Sequence, residues 1–158
     1  MAELLTEQLI RHIEQAAALY HRLVLLVAPS GSGKTSVLLD VVKRGGFRYI
    51  NVNLDLSRCL LDLTERQRAL QVPRVLAEVV GKDGDQVVLL DNIEVLFAIS
   101  LKQDPLRLLQ GLSRHQTVAA AWNGTVADRV LFYAKPDHPE YRRYPVDDLV
   151  VVSPQVSS

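Results

Sequence analysis

Leu23-Val24-Leu25-Leu26-Val27 is an uninterrupted apolar run that stops at Ala28-Pro29-Ser30-Gly31-Ser32-Gly33-Lys34-Thr35, with a helical pattern directly behind it. A strand with no polar alternation is buried on both faces, as strands of parallel sheets are. Strand, glycine-rich loop and helix in that order make a phosphate-binding context, and the loop keeps the Walker A spacing with Ala28 in the first glycine position. Gly31 and Gly33 let the backbone curl so that successive N–H groups point inward at an anion. Lys34 supplies a mobile ammonium, Thr35 a hydroxyl for Mg²⁺, and the helix N-terminus a partial positive charge. Pro29, Ser30, Gly31, Ser32, Gly33, Lys34, Thr35 and Ser36 are therefore the candidate phosphate-binding residues, with ATP and Mg²⁺ as the expected ligands. The competing reading is a glycine-rich turn that happens to contain Gly-Lys-Thr.

The rest of the chain alternates in the same way. An amphipathic helix is expected over 3–20, within an N-terminal segment 1–22, from Leu5, Leu9, Ile13, Ala16 and Tyr20 at helical spacing. A helix over 34–43 closes at Gly45-Gly46. Residues 47–56 read as a second strand, with Val52 and Leu54 alternating against Asn51, Asn53 and Asp55. Residues 57–80 read as helix in two pieces because Pro73 interrupts one long helix, and Thr64 with Gln67 makes a capping box that opens the second. Strands follow at 87–90, 117–122, 130–133 and 149–152, with a helix over 106–112 entered through Asp104-Pro105. The segment 135–148 reads as a polar loop before the last strand. The expectation is a single three-layer α/β domain over 1–158 with a mainly parallel central sheet, a P-loop domain of the additional-strand, AAA-like ATPase branch.

Two strand ends carry further chemistry. Val87-Val88-Leu89-Leu90-Asp91 has the Walker B pattern, so Asp91 is expected to serve Mg²⁺ with Thr35. In many ATPases of this branch a glutamate follows that aspartate and polarises the attacking water. Here Asn92 stands in its place, and an amide cannot accept that proton. Glu94, just past the strand end, is the first substitute, and Asp55 the second; the alternatives are a solvated Glu94 and an Asp55 that caps a helix. Asn123, at the end of the 117–122 strand, is the candidate sensor of the γ phosphate, or else half of an Asn123-Gly124 turn. Asp91, Glu94 and Asn123 are thus the candidate catalytic residues.

Composition narrows the partners. Eighteen basic and eighteen acidic residues cancel, so no global field recruits nucleic acid or an anionic membrane. DNA contact would rest on local residues such as Arg142 and Arg143, with Tyr141 and Tyr144 beside them for stacking. Arg107 and Arg114, seven apart on one expected helix, could reach a second copy's phosphates in a homo-oligomer. The lone Cys59 sits among leucines and reads as a small core residue. It forms no internal disulfide and suits a reducing cytoplasm. No apolar run approaches the roughly 20 residues of a membrane helix. His12, His21, His115 and His138 are scattered.

Five stretches carry a resemblance: 51–76 from Asn51-Val52-Asn53-Leu54, Leu89-Leu90-Asp91-Asn92-Ile93-Glu94, 101–114, Ala121-Trp122-Asn123-Gly124, and His138-Pro139-Glu140-Tyr141-Arg142-Arg143-Tyr144. Together they resemble the BrxF family, the small P-loop proteins of type 3 BREX (bacteriophage exclusion) systems. The resemblance covers nearly the whole chain. It implies a prokaryotic anti-phage role beside a DNA methyltransferase, a large ATPase and an alkaline-phosphatase-like component. The expected activity is Mg²⁺-ATP binding with weak hydrolysis. A non-hydrolysing ATP-dependent assembly switch, favoured by Asn92, is the alternative. A small-molecule kinase, with Asp55 and Arg58 gripping the acceptor, is a further reading.

Overall fold

A computed structural model describes residues 2–81 and 86–154; Met1, 82–85 and 155–158, which the expected domain and its N-terminal segment include, lie outside the described residues. Among the described residues, five helices and seven strands follow in chain order: α1 (Ala2–Ala16), β1 (Leu23–Ala28), α2 (Lys34–Val42), β2 (Phe47–Asn51), α3 (Val52–Leu60), α4 (Glu65–Val80), β3 (Val87–Asp91), α5 (Pro105–Leu112), β4 (Val118–Ala127), β5 (Val130–Tyr133), β6 (Arg142–Pro145) and β7 (Val150–Val152). Two 3₁₀ turns, Ile93–Phe97 and Ile99–Leu101, lie between β3 and α5.

The sheet runs β2-β3-β4-β1-β7, with every one of these pairs parallel. Its alternation explains the unbroken apolar runs. Val24 and Leu26 of β1 and Ala119 and Ala121 of β4 pack with Leu9, Ile13, Val37 and Leu38 on one side. Leu23, Leu25 and Val27, with Val118, Ala120 and Trp122, join Leu56, Val72, Leu76 and Leu109 on the other. This is an α/β fold in three layers with a mainly parallel central sheet. Among the described residues no helix is long and apolar enough to cross a membrane.

The structure corrects several expectations. The second strand ends at Asn51, and Val52 opens α3. Asn51 Oδ1 accepts from Leu54 N at 3.1 Å, so the amide that looked like strand alternation is a helix cap. Val52, Leu56 and Leu60 are the buried stripe of that helix, whereas Leu54 is 46% exposed. Cys59 is exposed on α3 rather than in the core. The break between α3 and α4 falls at 61–64, where the capping box of Thr64 and Gln67 forms as expected. Pro73, however, lies inside α4. Proline lacks the N–H that would bond the Ala69 carbonyl, and Gln103 Nε2 donates to that oxygen at 2.7 Å instead.

Asn123-Gly124 is not a turn. Strand β4 continues to Ala127 and pairs antiparallel with β5, Gly124 opposite Tyr133. A Cβ at Gly124 would overlap the Phe132 carbonyl oxygen, so glycine is there for close backbone approach. The reversal falls at Asp128 (φ 51°) and Arg129 (φ 64°), two left-handed residues in the manner of a type I′ hairpin. The expected 135–148 loop contains β6, which pairs antiparallel with β5. Tyr144 OH donates to Asp104 Oδ1 at 3.0 Å, and Arg142 Nη2 to Gln103 O at 2.7 Å, tying this strand to the entrance of α5.

Candidate functional site

Parallel strands deliver their C-terminal ends to one edge of the sheet. Because β4 lies between β1 and β3, Ala28, Asn123 and Asp91 end up on three neighbouring strands, with Ala28 directly opposite Asn123 and Asp91 one step past the Leu90–Ala120 pair. The loop after β1 turns through Gly31 (φ 77°) and Gly33 (φ 93°), both in the left-handed region. Gly33 caps α2, its carbonyl accepting from Val37 N at 3.2 Å. Ser32 Oγ donates to Pro29 O at 2.6 Å and stiffens the turn from within.

Lys34 is 9% exposed. Its Nζ donates to Ala28 O at 2.7 Å and to Pro29 O at 2.8 Å, so two of three ammonium protons are engaged. Burial pushes its pKa below the ordinary lysine value, against the opposing pull of Glu94 and then Asp91. Thr35 Oγ1 donates to Asp91 Oδ2 at 2.6 Å, which joins the loop to the end of β3. Asp91 is 3% exposed. Its Oδ2 also accepts from Tyr49 OH at 2.7 Å, and its Oδ1 from Asn92 N at 3.0 Å. Burial, and next the bond to Asp91, push the Tyr49 phenol well above the usual tyrosine value, so it is a proton donor at neutral pH.

Ser30, Gly31, Gly33, Lys34, Thr35, Ser36, Asp91, Glu94 and Asn123 line one cleft of about 150 Å³, floored by Ala121. Asn92 lines it too, at φ 56°, and Glu94 follows in the first turn of Ile93–Phe97. Of the expected phosphate-binding set, Ser32 turns its hydroxyl back onto Pro29 O, and Pro29 lines a neighbouring cleft of about 420 Å³ instead. That second cleft shares Ser30 and Asn123 with the first and is walled by Tyr133, Lys135, His138 and Glu140. Burial, and then the charges of Glu94 and Glu140, raise the Tyr133 phenol above its usual range.

No family model matches the chain. No curated protein matches it. Among solved structures, one titled "Structure of C. elegans PCH-2" aligns over 80% of this chain and 39% of its own, at 18% identity and a TM-score of 0.45. The chain thus spans well under half of that protein.

Other expected residues lie elsewhere. Asp55 and Arg58 sit on α3 and do not line the cleft, so the fold does not bring them to Lys34. Arg107 is on α5, but Arg114 falls beyond its end and stacks over the Tyr20 ring at 4.9 Å, so the two share no helix face. Arg143 is exposed on β6, while the neighbouring Arg142 is tied to Gln103 O. Tyr49 is the site residue that sequence reasoning missed. Its only signal is cross-strand register, which sets Tyr49 opposite Leu89, two residues before Asp91 on the same face of β3.

The assembled groups amount to a glycine loop at a helix N-terminus, a buried ammonium, and a hydroxyl paired with a buried carboxylate. Such a set suits a polyanion accompanied by a hard cation.

Proposed function

We propose that this chain binds Mg²⁺-ATP in the cleft of Lys34, Thr35 and Asp91, and hydrolyses it slowly as a component of a BREX-type anti-phage assembly. The observation that carries the nucleotide reading is the Thr35–Asp91 hydrogen bond of 2.6 Å beside the buried Lys34. It joins the glycine loop to an acidic strand end across a sheet whose intervening strand β4 carries Asn123 at the last position of its parallel pairing with β1. That strand order supports a P-loop fold of the additional-strand branch.

The loop amides and Lys34 hold the phosphates, with Lys34 leaving the carbonyls of Ala28 and Pro29 for an oxygen of the ligand. Thr35 and Asp91 would hold Mg²⁺, and the cleft fits it: a hydroxyl and a carboxylate, both hard oxygen donors, already meet there. When bound, the ion neutralises phosphate charge. Glu94, a carboxylate in the same cleft, takes the proton of the attacking water, and the Asn123 amide donates to the terminal phosphate. Hydrolysis is slow because Asn92 stands where a base would follow Asp91. The same Asn92 favours the second reading, an ATP-dependent assembly switch without turnover. Phosphate release from the purified chain separates the two. The assembly role with other BREX components rests on the sequence resemblance, the cytoplasmic setting on the lone Cys59, and the homo-oligomer on arginines such as Arg107 reaching a second copy. DNA contact through Arg143 and its neighbours is a subsidiary part of it.

Calorimetric titration of ATP with Mg²⁺ and with EDTA tests the binding reading. Binding that is stronger with Mg²⁺ and weakened by Asp91→Asn supports it; no binding in either condition rejects it.

A further inference from the structure

Asp91 is held from outside the glycine loop as well as from within it. A carboxylate has about four lone-pair positions. On Asp91, Thr35 and Tyr49 both donate to Oδ2 and the Asn92 amide donates to Oδ1, at 2.6, 2.7 and 3.0 Å. Of these donors, the Asn92 amide belongs to the adjoining backbone. The Thr35 hydroxyl is itself a prospective cation ligand. The Tyr49 phenol is neither: it comes from β2, its half-buried ring packed on the α2 side of the sheet.

We propose that Tyr49 is a positioning residue for the cation site: its phenol fixes the plane of the Asp91 carboxylate so that the Thr35 oxygen and the free Oδ1 lone pair are presented together to a hard cation. This rests on the reading that the cleft takes Mg²⁺ with ATP. The terminal torsion of an aspartate is broad. With Tyr49 gone, Oδ2 is held by Thr35 alone, and only the Asn92 amide on Oδ1 still orients the carboxylate from outside that pair. Partners that orient metal ligands from outside the ligand set typically change metal affinity by about 10- to 100-fold.

The substitution Tyr49→Phe removes the hydroxyl and keeps the ring. ATP affinity is measured by calorimetry in EDTA and in Mg²⁺ for the wild type, Tyr49→Phe, Asp91→Asn and the double variant, with a melting curve for each metal-free protein. The ratio of the two affinities is the readout, because a merely structural loss lowers both together. In EDTA, Tyr49→Phe binds ATP like the wild type, while the gain on adding Mg²⁺ falls about 10-fold. The double variant shows no smaller gain than Asp91→Asn alone, since Tyr49 acts only through that carboxylate. A wild-type Mg²⁺ gain in Tyr49→Phe, or a double variant whose losses simply add, overturns the proposal and leaves nucleotide binding standing. A wild type that binds no ATP under either condition overturns both.

Discussion

Replacing Lys34 with methionine removes the ammonium and keeps most of the apolar stem, which separates binding from folding. In the ligand-free protein Nζ makes two hydrogen bonds to backbone carbonyls, and bonds to a charged group contribute about 1.5–3 kcal/mol each. Burying the ammonium costs several kcal/mol in return. Burial lowers the pKa of Lys34 against the opposing charges of Glu94 and then Asp91, so removing the buried charge offsets part of the loss of the two bonds. Lys34→Met should therefore fold with stability close to that of the wild type. The sign carries a pH dependence. Between the lowered folded value and the ordinary 10.5, the unfolded chain binds more protons than the folded one. Wild-type stability relative to Lys34→Met therefore rises as pH climbs through that window. Ligand separates the two proteins. At 100 to 1,000 times Kd, ATP with Mg²⁺ should stabilise the wild type by about 2.7–4 kcal/mol, a rise in Tm of about 5–15 °C for a chain of this size. Lys34→Met should show almost none. Differential scanning fluorimetry reads both. Equal ligand-induced shifts in the two proteins, or a ligand-free variant destabilised by about 3 kcal/mol, would refute the reasoning.

Glu94→Gln should lower phosphate release by about 10²-fold or more, as loss of a general base does, and Asn92→Glu in that background should restore part of it. Malachite-green assays check both, and a rate untouched by Glu94→Gln would remove that residue from the chemistry. Gly124→Ala should destabilise the chain by at least about 2 kcal/mol in urea melts, because its Cβ has no room beside the Phe132 carbonyl. Gln103→Ala should cost about 1–3 kcal/mol by leaving the Ala69 carbonyl above Pro73 without a donor. The same melts measure it.

Where local chemistry and tertiary role coincide, the fold was legible in the residues alone. The run 23–27, the glycine loop and the helix behind it announce themselves because each is a short-range pattern, and so does the Thr64 capping box. The failures share a cause. Val52 and Leu54 alternate like a strand, but the cap that decides the matter is the hydrogen bond from Leu54 N to Asn51 Oδ1. Asn123-Gly124 carries a turn signature, yet its glycine answers to a carbonyl on the next strand, while the true reversal at Asp128-Arg129 has no glycine to mark it. Pro73 lies inside α4, and the donor that takes up its freed Ala69 carbonyl is Gln103, remote in sequence. At the site, the residues of the two motifs could be named from spacing. Tyr49 could not, since its role exists only once β2 and β3 are paired in register.

The proposed place for ATP is the cleft between the glycine loop, the end of β3 and Asn123 of β4. An NMR titration of ¹⁵N-labelled protein with Mg²⁺-ATP tests it residue by residue. The largest amide shifts should fall at Gly31, Gly33, Lys34, Thr35 and Ser36, with Asn92 and Asn123 moving as well, and Lys34→Met should abolish them. Shifts absent from the 29–36 loop, or centred instead on the groove of about 560 Å³ between α4 and α5 near Arg107 and His115, would contradict it.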